Sequence, residues 1–284
     1  MKLWYQTVSR LTTWGAYGRA LRTLLDGARD PETEIELHPI TVGMANPSPL
    51  DPAVVGEILD NLRIAVDRGF DAFLIDSIVD PGLEEGRKIA DIPVLGLCES
   101  ALRYAAMIGG KFSLIATDEK LLPRIAERVA GYGFSESLVS IRHMAVDRGR
   151  QIDRGFDDLD ARQRVLDAFR EVAMAAARAG ADTIITADSA LMALLAYAEL
   201  DETGEGIAII DGISNLVMLG EMAVKVDRVV GGAFTPDRLE VATELIRSYE
   251  VARRHRPIRR ILSGMVTTGV AAPPPAAERR RFGV

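Results

Sequence analysis

Short apolar runs separated by longer segments of helical pattern recur along the whole chain, and this alternation constrains the fold more than any other feature. It calls for parallel strands joined by helical crossovers, the plan of an α/β protein. The runs are KLWYQTV, EIELHPI, AFLIDS, IPVLGL, FSLIAT, SLVSIRHM, TIITAD and IAIID, four before Gly109-Gly110 and four after. The two sets resemble each other. Gly69-Phe70-Asp71 followed by AFLIDS matches Gly180-Ala181-Asp182 followed by TIITAD at one constant offset, and IPVLGLCESALRYAAMIGGK parallels IAIIDGISNLVMLGEMAVK. The expected fold class is therefore α/β, with two pseudo-symmetric parallel-sheet halves and an active site in the cleft between them.

Helix punctuation supports the division. LDPAVVGEILDNLRIAVDRG carries an Asp51 cap, a proline at the first helical position and a terminal Gly69. DLDARQRVLDAFREVAMAAARAG is a long amphipathic pattern ending at Gly180, its Ala-rich stretch suited to close packing on a sheet or another subunit. TPDRLEVATELIRSYEVARRH opens on Thr235 and Pro236 in the same manner, and AAPPPAAERRR is too rich in proline and charge to pack. The expected organisation is a first half at 1–110, to which the chain can return near its C-terminus. A second half follows at 111–225, then a C-terminal helical segment at 226–262 and a mobile or neighbour-docking tail at 263–284.

Composition narrows the function classes. Of 284 residues, 48% are hydrophobic, enough for one large core or two medium ones. A net charge of -7 disfavours nucleic acid and anionic membrane as partners, the basic run RRHRPIRR reading as a solvated helix end. No run approaches a membrane span and no signal-peptide pattern precedes the first strand, so a soluble cytoplasmic protein is expected. One cysteine, Cys98, excludes an intrachain disulfide, and the scattered His38, His143 and His255 lack metal-ligand spacing, so no metal is expected.

In an open parallel sheet, ligands bind beyond the carboxyl ends of the strands. The candidates are then Gln6, Thr7 and Ser9; Ser77, Cys98 and Glu99; Thr117 and Asp118; Asp188 and Ser189; Asp211 and Gly212. After Ser77, Asp80 and Pro81 read as a helix N-cap and first position, and Asp188-Ser189 opens the corresponding helix of the second half. Free N–H groups at such termini suit a carboxylate or an enolate oxygen. Ser77, Asp188 and Ser189 also suit a purely capping role, against which their matched positions in two halves weigh. Cys98 reads either as a cleft residue or as a small buried apolar one, and Glu99 as a site residue or an acid of a helix first turn.

DAFLIDSIVDPGLEEGRKIADIPVLGLCESALRYAAMIGGKFSLIAT, GADTIITADSAL and IAIIDGISNLVMLGEMAV together resemble the aspartate/glutamate/hydantoin racemase superfamily, and its hydantoin racemase branch most closely, over roughly residues 1 to 225. The resemblance implies two pseudo-symmetric halves, no cofactor, and a small carboxylate or cyclic amide held between them. It also implies two cysteines, one per half, that remove and return the proton α to a carbonyl. Here the first falls on Ser77 and the second on Asp188. Substrate binding is expected from Gln6, Thr7, Ile78, Val79, Thr117, Ser189 and Ala190, with Cys98, Glu99 and Asp118 as further candidates. The family's Asn-rich NPNT element is replaced by WYQTVS, whose Trp4 and Tyr5 imply a more aromatic pocket.

A thiol titrates near 8.5 and an aspartate near 3.9, while a serine hydroxyl needs a separate base. A two-thiol racemisation therefore does not carry over. The leading expectation is a cofactor-independent enzyme acting on a small molecule through an enolate-like or oxyanion intermediate. Asp188 is its base and Ser77 lies on the oxyanion side. The competing readings are a hydrolase or decarboxylase on the same fold, and a non-catalytic small-molecule binding module. A homo-oligomer is expected from the Ala-rich helix and the tail.

Overall fold

A computed structural model describes residues 1–8, 15–42, 48–147, 151–203 and 206–230. The helical segment expected from Thr235 and the tail lie outside the described residues, as does Ser9.

The first half contains β1 (Lys2–Thr7), α1 (Gly15–Ala28), β2 (Glu34–His38), α2 (Pro52–Asp67), β3 (Ala72–Asp76), α3 (Leu83–Ile89), β4 (Val94–Gly96) and α4 (Leu97–Ile108). The second contains β5 (Phe112–Ala116), α5 (Leu122–Gly131), β6 (Leu138–His143), a single turn α6 (Asp153–Gly155), α7 (Leu159–Arg178), β7 (Thr183–Thr186), α8 (Ser189–Tyr197), β8 (Ala208–Ile210) and α9 (Gly212–Val230). Two parallel four-stranded sheets result, ordered β2-β1-β3-β4 and β6-β5-β7-β8. The second order is the first with each strand replaced by its counterpart four strands later, so the repeat in the sequence is a repeat of topology.

The aspartate shared by the two repeat units has one structural job. Asp71 accepts the backbone N–H of Lys2 at 2.6 Å, and Asp182 accepts those of Gly110 and Lys111 at 2.9 and 3.0 Å. In each half it holds the chain at the start of the central strand. The glycines that precede these aspartates, Gly69 and Gly180, adopt φ of 72° and 102°, which only glycine reaches without strain.

Every second residue along a strand faces the same layer. On the first sheet Trp4, Phe73 and Ile75 pack against Val54, Ile58 and Leu62 of α2, while Leu3, Tyr5, Ala72 and Leu74 join a core that includes α1 and α9. On the second sheet Phe112, Leu114 and Ile185 pack with α4 and α5. The Ala-rich face of α7 packs on this sheet through the fully buried Ala173 and Ala176. Helix α9 follows the last strand of the second sheet yet packs on β3, β4 and α4. Among the described residues no helix is long and apolar enough to cross a membrane.

Candidate functional site

The carboxyl ends of the central strands border a cavity of about 520 Å³. From the first half come Val8, the Ser48–Leu50 segment and the strand tip Asp76-Ser77-Ile78; from the second come Thr117, Asp118, Lys120 and the strand tip Ala187-Asp188-Ser189. Ser77 and Asp188, expected at matching tips, thus face one space.

Asp188 is the N-cap of α8. Its Oδ1 accepts the N–H groups of Ala190 and Leu191 at 2.9 and 3.0 Å, and its Oδ2 accepts the hydroxyl of Thr117 at 2.6 Å. The capping role is real, and it also orients the carboxylate at the cavity wall. Thr117 binds Asp188 across from the end of β5, so the hydroxyl fixes the carboxylate as well as lining the space.

Ser77 begins a tight turn closed by the N–H of Asp80 on the carbonyl of Ser77 at 3.0 Å. Here the structure corrects the sequence reading. Asp80 does not cap the following helix: Gly82 is the N-cap of α3, with φ of 76°. Asp80 itself sits at φ of 45° and turns its carboxylate onto a different helix, accepting the N–H groups of Cys98 and Glu99 at the start of α4, both at 2.9 Å. The hydroxyl of Tyr132, from the end of α5 in the other half, adds a third bond at 2.7 Å. Burial drives this switch, because α4 starts in the interior, where its free N–H groups need an acceptor. Burial also pushes the Asp80 carboxyl up to about 6, against the downward pull of these three bonds.

Gly96 lies directly beneath that carboxylate. A Cβ there falls 2.3 Å from Cγ of Asp80, whose side chain is pinned by three donors and has no room to swing aside. Gly96→Ala is therefore expected to lower stability by about 1–3 kcal/mol, read as a drop in Tm. An unchanged Tm overturns this account of the turn.

Several expected residues sit elsewhere. Gln6 is fully buried and occupied: its amide donates to the carbonyls of Thr7 and His38, and its Oε1 accepts from Trp4 and Asn61. Thr7 is likewise buried. Trp4 stacks on His38 within the outer core, with ring centroids 3.3 Å apart, and Tyr5 is buried on the opposite face; neither makes the cavity aromatic. Val79 and Ala190 are buried beside the cavity without lining it. Cys98 is fully buried in α4, away from the lining, and burial pushes its thiol well above the ordinary value. Glu99 is in the first turn of α4; burial raises its carboxyl, but hydrogen bonds from Arg87 and Arg103 outweigh this and hold it low. Asp118 caps the 3-10 turn Glu119–Leu121 and lines the cavity.

Sequence reasoning missed Val8, Ser48, Pro49, Leu50, Lys120, Leu121 and Ala187 in the lining, and one carboxylate, Asp76. It is the last residue of β3, only 3% exposed, and two positions beyond Leu74 on the same strand face. The signal that marks it is the period of two, which aims a carboxylate inward at the end of an otherwise apolar strand. Among the described residues no cluster of side chains fits a metal ion.

Comparison with known proteins follows the same outline. Residues 18–220 match the family profile described as Asp/Glu/Hydantoin racemase. A hydantoin racemase from Rhizobium meliloti is 29% identical over 58% of this chain and 64% of its own length, so the chain spans less than two thirds of that relative. An allantoin racemase structure from Klebsiella pneumoniae superposes with a TM-score of 0.69 at 22% identity, over 83% of this chain and 90% of the other. An unliganded arylmalonate decarboxylase superposes with a TM-score of 0.53 at 15% identity, over 78% and 92%. These two structures share the fold.

Proposed function

Since the chain belongs to the Asp/Glu/hydantoin racemase family, we propose that it is a cofactor-independent isomerase that moves a proton α to a carbonyl in a small cyclic amide. The observation that carries this reading is the convergence of Ser77 and Asp188, one from each half, on a single cavity. Asp188 is the base that takes the proton, and Ser77 donates a hydrogen bond to the oxygen that becomes negative. A carboxylate well below neutrality can still serve as such a base where the enolate is stabilised.

The lining favours the cyclic amide over a dicarboxylate. Among the described residues the cavity presents three carboxylates, Asp76, Asp118 and Asp188, against one ammonium, Lys120. Such a wall accepts hydrogen bonds from ring N–H groups and repels a second free carboxylate.

The test is incubation in D2O with a panel of hydantoins, allantoin and malonates, followed by chiral separation and mass spectrometry. Deuterium at the α carbon with the skeleton intact supports the proposal. Gain of water or loss of carbon dioxide without an isomer transfers the site to the hydrolase or decarboxylase reading, and ligand binding with no turnover makes it a binding module. Within the proposal, Ser77→Ala is expected to slow α-exchange by roughly 10²–10³-fold at unchanged Tm. Exchange at the wild-type rate removes Ser77 from the oxyanion side.

A further inference from the structure

Consecutive residues of a strand point to opposite faces of the sheet, so Thr186, the last residue of β7, turns away from the cavity that Ala187 and Asp188 border. It lines a second cavity instead, of about 200 Å³. Register pairs Ile185 with Ile210, so Thr186 and Asp211 follow side by side on adjacent strands, and both line this space. Asp211 takes no part in the first cavity. Its carboxylate accepts the N–H and the hydroxyl of Ser214. A carboxylate has about four lone-pair sites, so the bonds from Ser214 leave others open. Thr186 is 0% exposed, and its hydroxyl has no hydrogen-bond partner among the described residues. Such a hydroxyl is a cost to the folded chain that a valine of the same shape does not carry. A molecule entering the cavity is what can satisfy it.

The rest of the lining says which kind of molecule. Met192 and Leu195 of α8, both buried, give the cavity an apolar floor, and Glu199 and Asp201 stand exposed at its rim. Among the described residues the lining has three carboxylates, on Glu199, Asp201 and Asp211, and no lysine, arginine or histidine. Glu199 closes α8 at the position where glycine is usual, holding φ of 54°. Backbone geometry alone favours glycine there, and the glutamate adds charge to the rim. We propose that this cavity is a second small-molecule site, for a small aliphatic ammonium ion. The three N–H donors of the ammonium meet the Asp211 carboxylate and the Thr186 hydroxyl at the deep end, while the alkyl chain lies on Met192 and Leu195. The acids at the rim draw cations in and turn anions away. The site is separate from the α-proton chemistry proposed above and does not depend on it.

The experiment titrates the full chain with n-butylammonium, and with butan-1-ol as the uncharged comparator, by isothermal calorimetry at low ionic strength. Wild type is expected to bind n-butylammonium saturably and at least about tenfold more tightly than the alcohol. Thr186→Val and Asp211→Asn are each expected to weaken that binding by at least about tenfold, the asparagine keeping an oxygen for the N–H of Ser214. Because the Thr186 hydroxyl has no partner in the unliganded chain, Thr186→Val is also expected to keep or raise Tm. A lower Tm gives the hydroxyl a structural role and overturns the inference. The first cavity is the competing location, since it too carries carboxylates. Asp188→Asn is expected to leave ammonium binding as it is. If that change weakens binding while Thr186→Val does not, the ammonium lies in the first cavity and the inference falls. Equal affinity for the alcohol, or no saturable binding by wild type, overturns it as well. Where Asp211→Asn fails to fold, Thr186→Val carries the test.

Discussion

Asp188→Asn is expected to lose about 10²–10⁴-fold in α-proton exchange while its Tm stays near that of wild type. Asparagine keeps an oxygen for the N–H groups of Ala190 and Leu191, and it caps helices about as well as aspartate. What it lacks is the ability to take a proton. Asp188→Ala separates the two roles: the same loss of exchange, joined by about 1 kcal/mol of destabilisation from the missing cap. Measured rates of exchange in D2O beside thermal unfolding distinguish them. Full activity in Asp188→Asn makes Asp188 a cap only and sinks the proposed mechanism.

The largest expected effect on stability belongs to Asp80. Asp80→Ala leaves two backbone N–H groups and the Tyr132 hydroxyl without their acceptor in a fully buried site, and is expected to cost roughly 3–5 kcal/mol. The pH dependence has a definite sign. Unfolded, the carboxyl titrates near 3.8; folded, near 6. Between these values the native state holds a proton that the unfolded chain has released. The contribution of this group to stability is therefore fully present below pH 3.8 and declines as pH rises through 6, by on the order of 3 kcal/mol in all. Chemical denaturation of wild type and Asp80→Asn across pH 4 to 7 is the check, since the variant lacks the titrating group. The difference in stability between the two is expected to change over that window, and a constant difference refutes the assignment.

Asp80 also shows why part of the site was not legible. Its sequence context, an Asp-Pro before an apolar segment, is a sound local signal for a helix start. The local competition was settled by α4, which follows β4 and whose buried first turn needs an acceptor more than the partly exposed start of α3 does. No local pattern reports that need, because it arises from two segments meeting. Cys98 follows the same logic. It stands just past a strand tip in sequence, yet helix α4 begins at Leu97 and turns it into the core.

Other residues were legible for physical reasons that are local. Strand period, glycines at positive φ and the Asp51 and Asp188 caps are set within a few residues of chain, and the structure has each of them. The matched aspartates Asp71 and Asp182 were visible as a repeat, although their work in tethering Lys2 and Lys111 was not. Gln6 looked like a binding residue from its place at a strand tip. Its amide and carbonyl are instead consumed by Trp4, His38 and Asn61, partners that only folding brings to it.

By itself, then, the sequence determined the α/β class, the eight strands in two matching sets of four, and the candidacy of Ser77 and Asp188. Each of these follows from periodicity and spacing along the chain. Tertiary structure alone decided which side chains share the cavity. It brought in Asp76, joined Thr117 to Asp188, withdrew Gln6 and Cys98, and set Asp80 on α4, because burial and hydrogen-bond satisfaction depend on residues far apart in sequence.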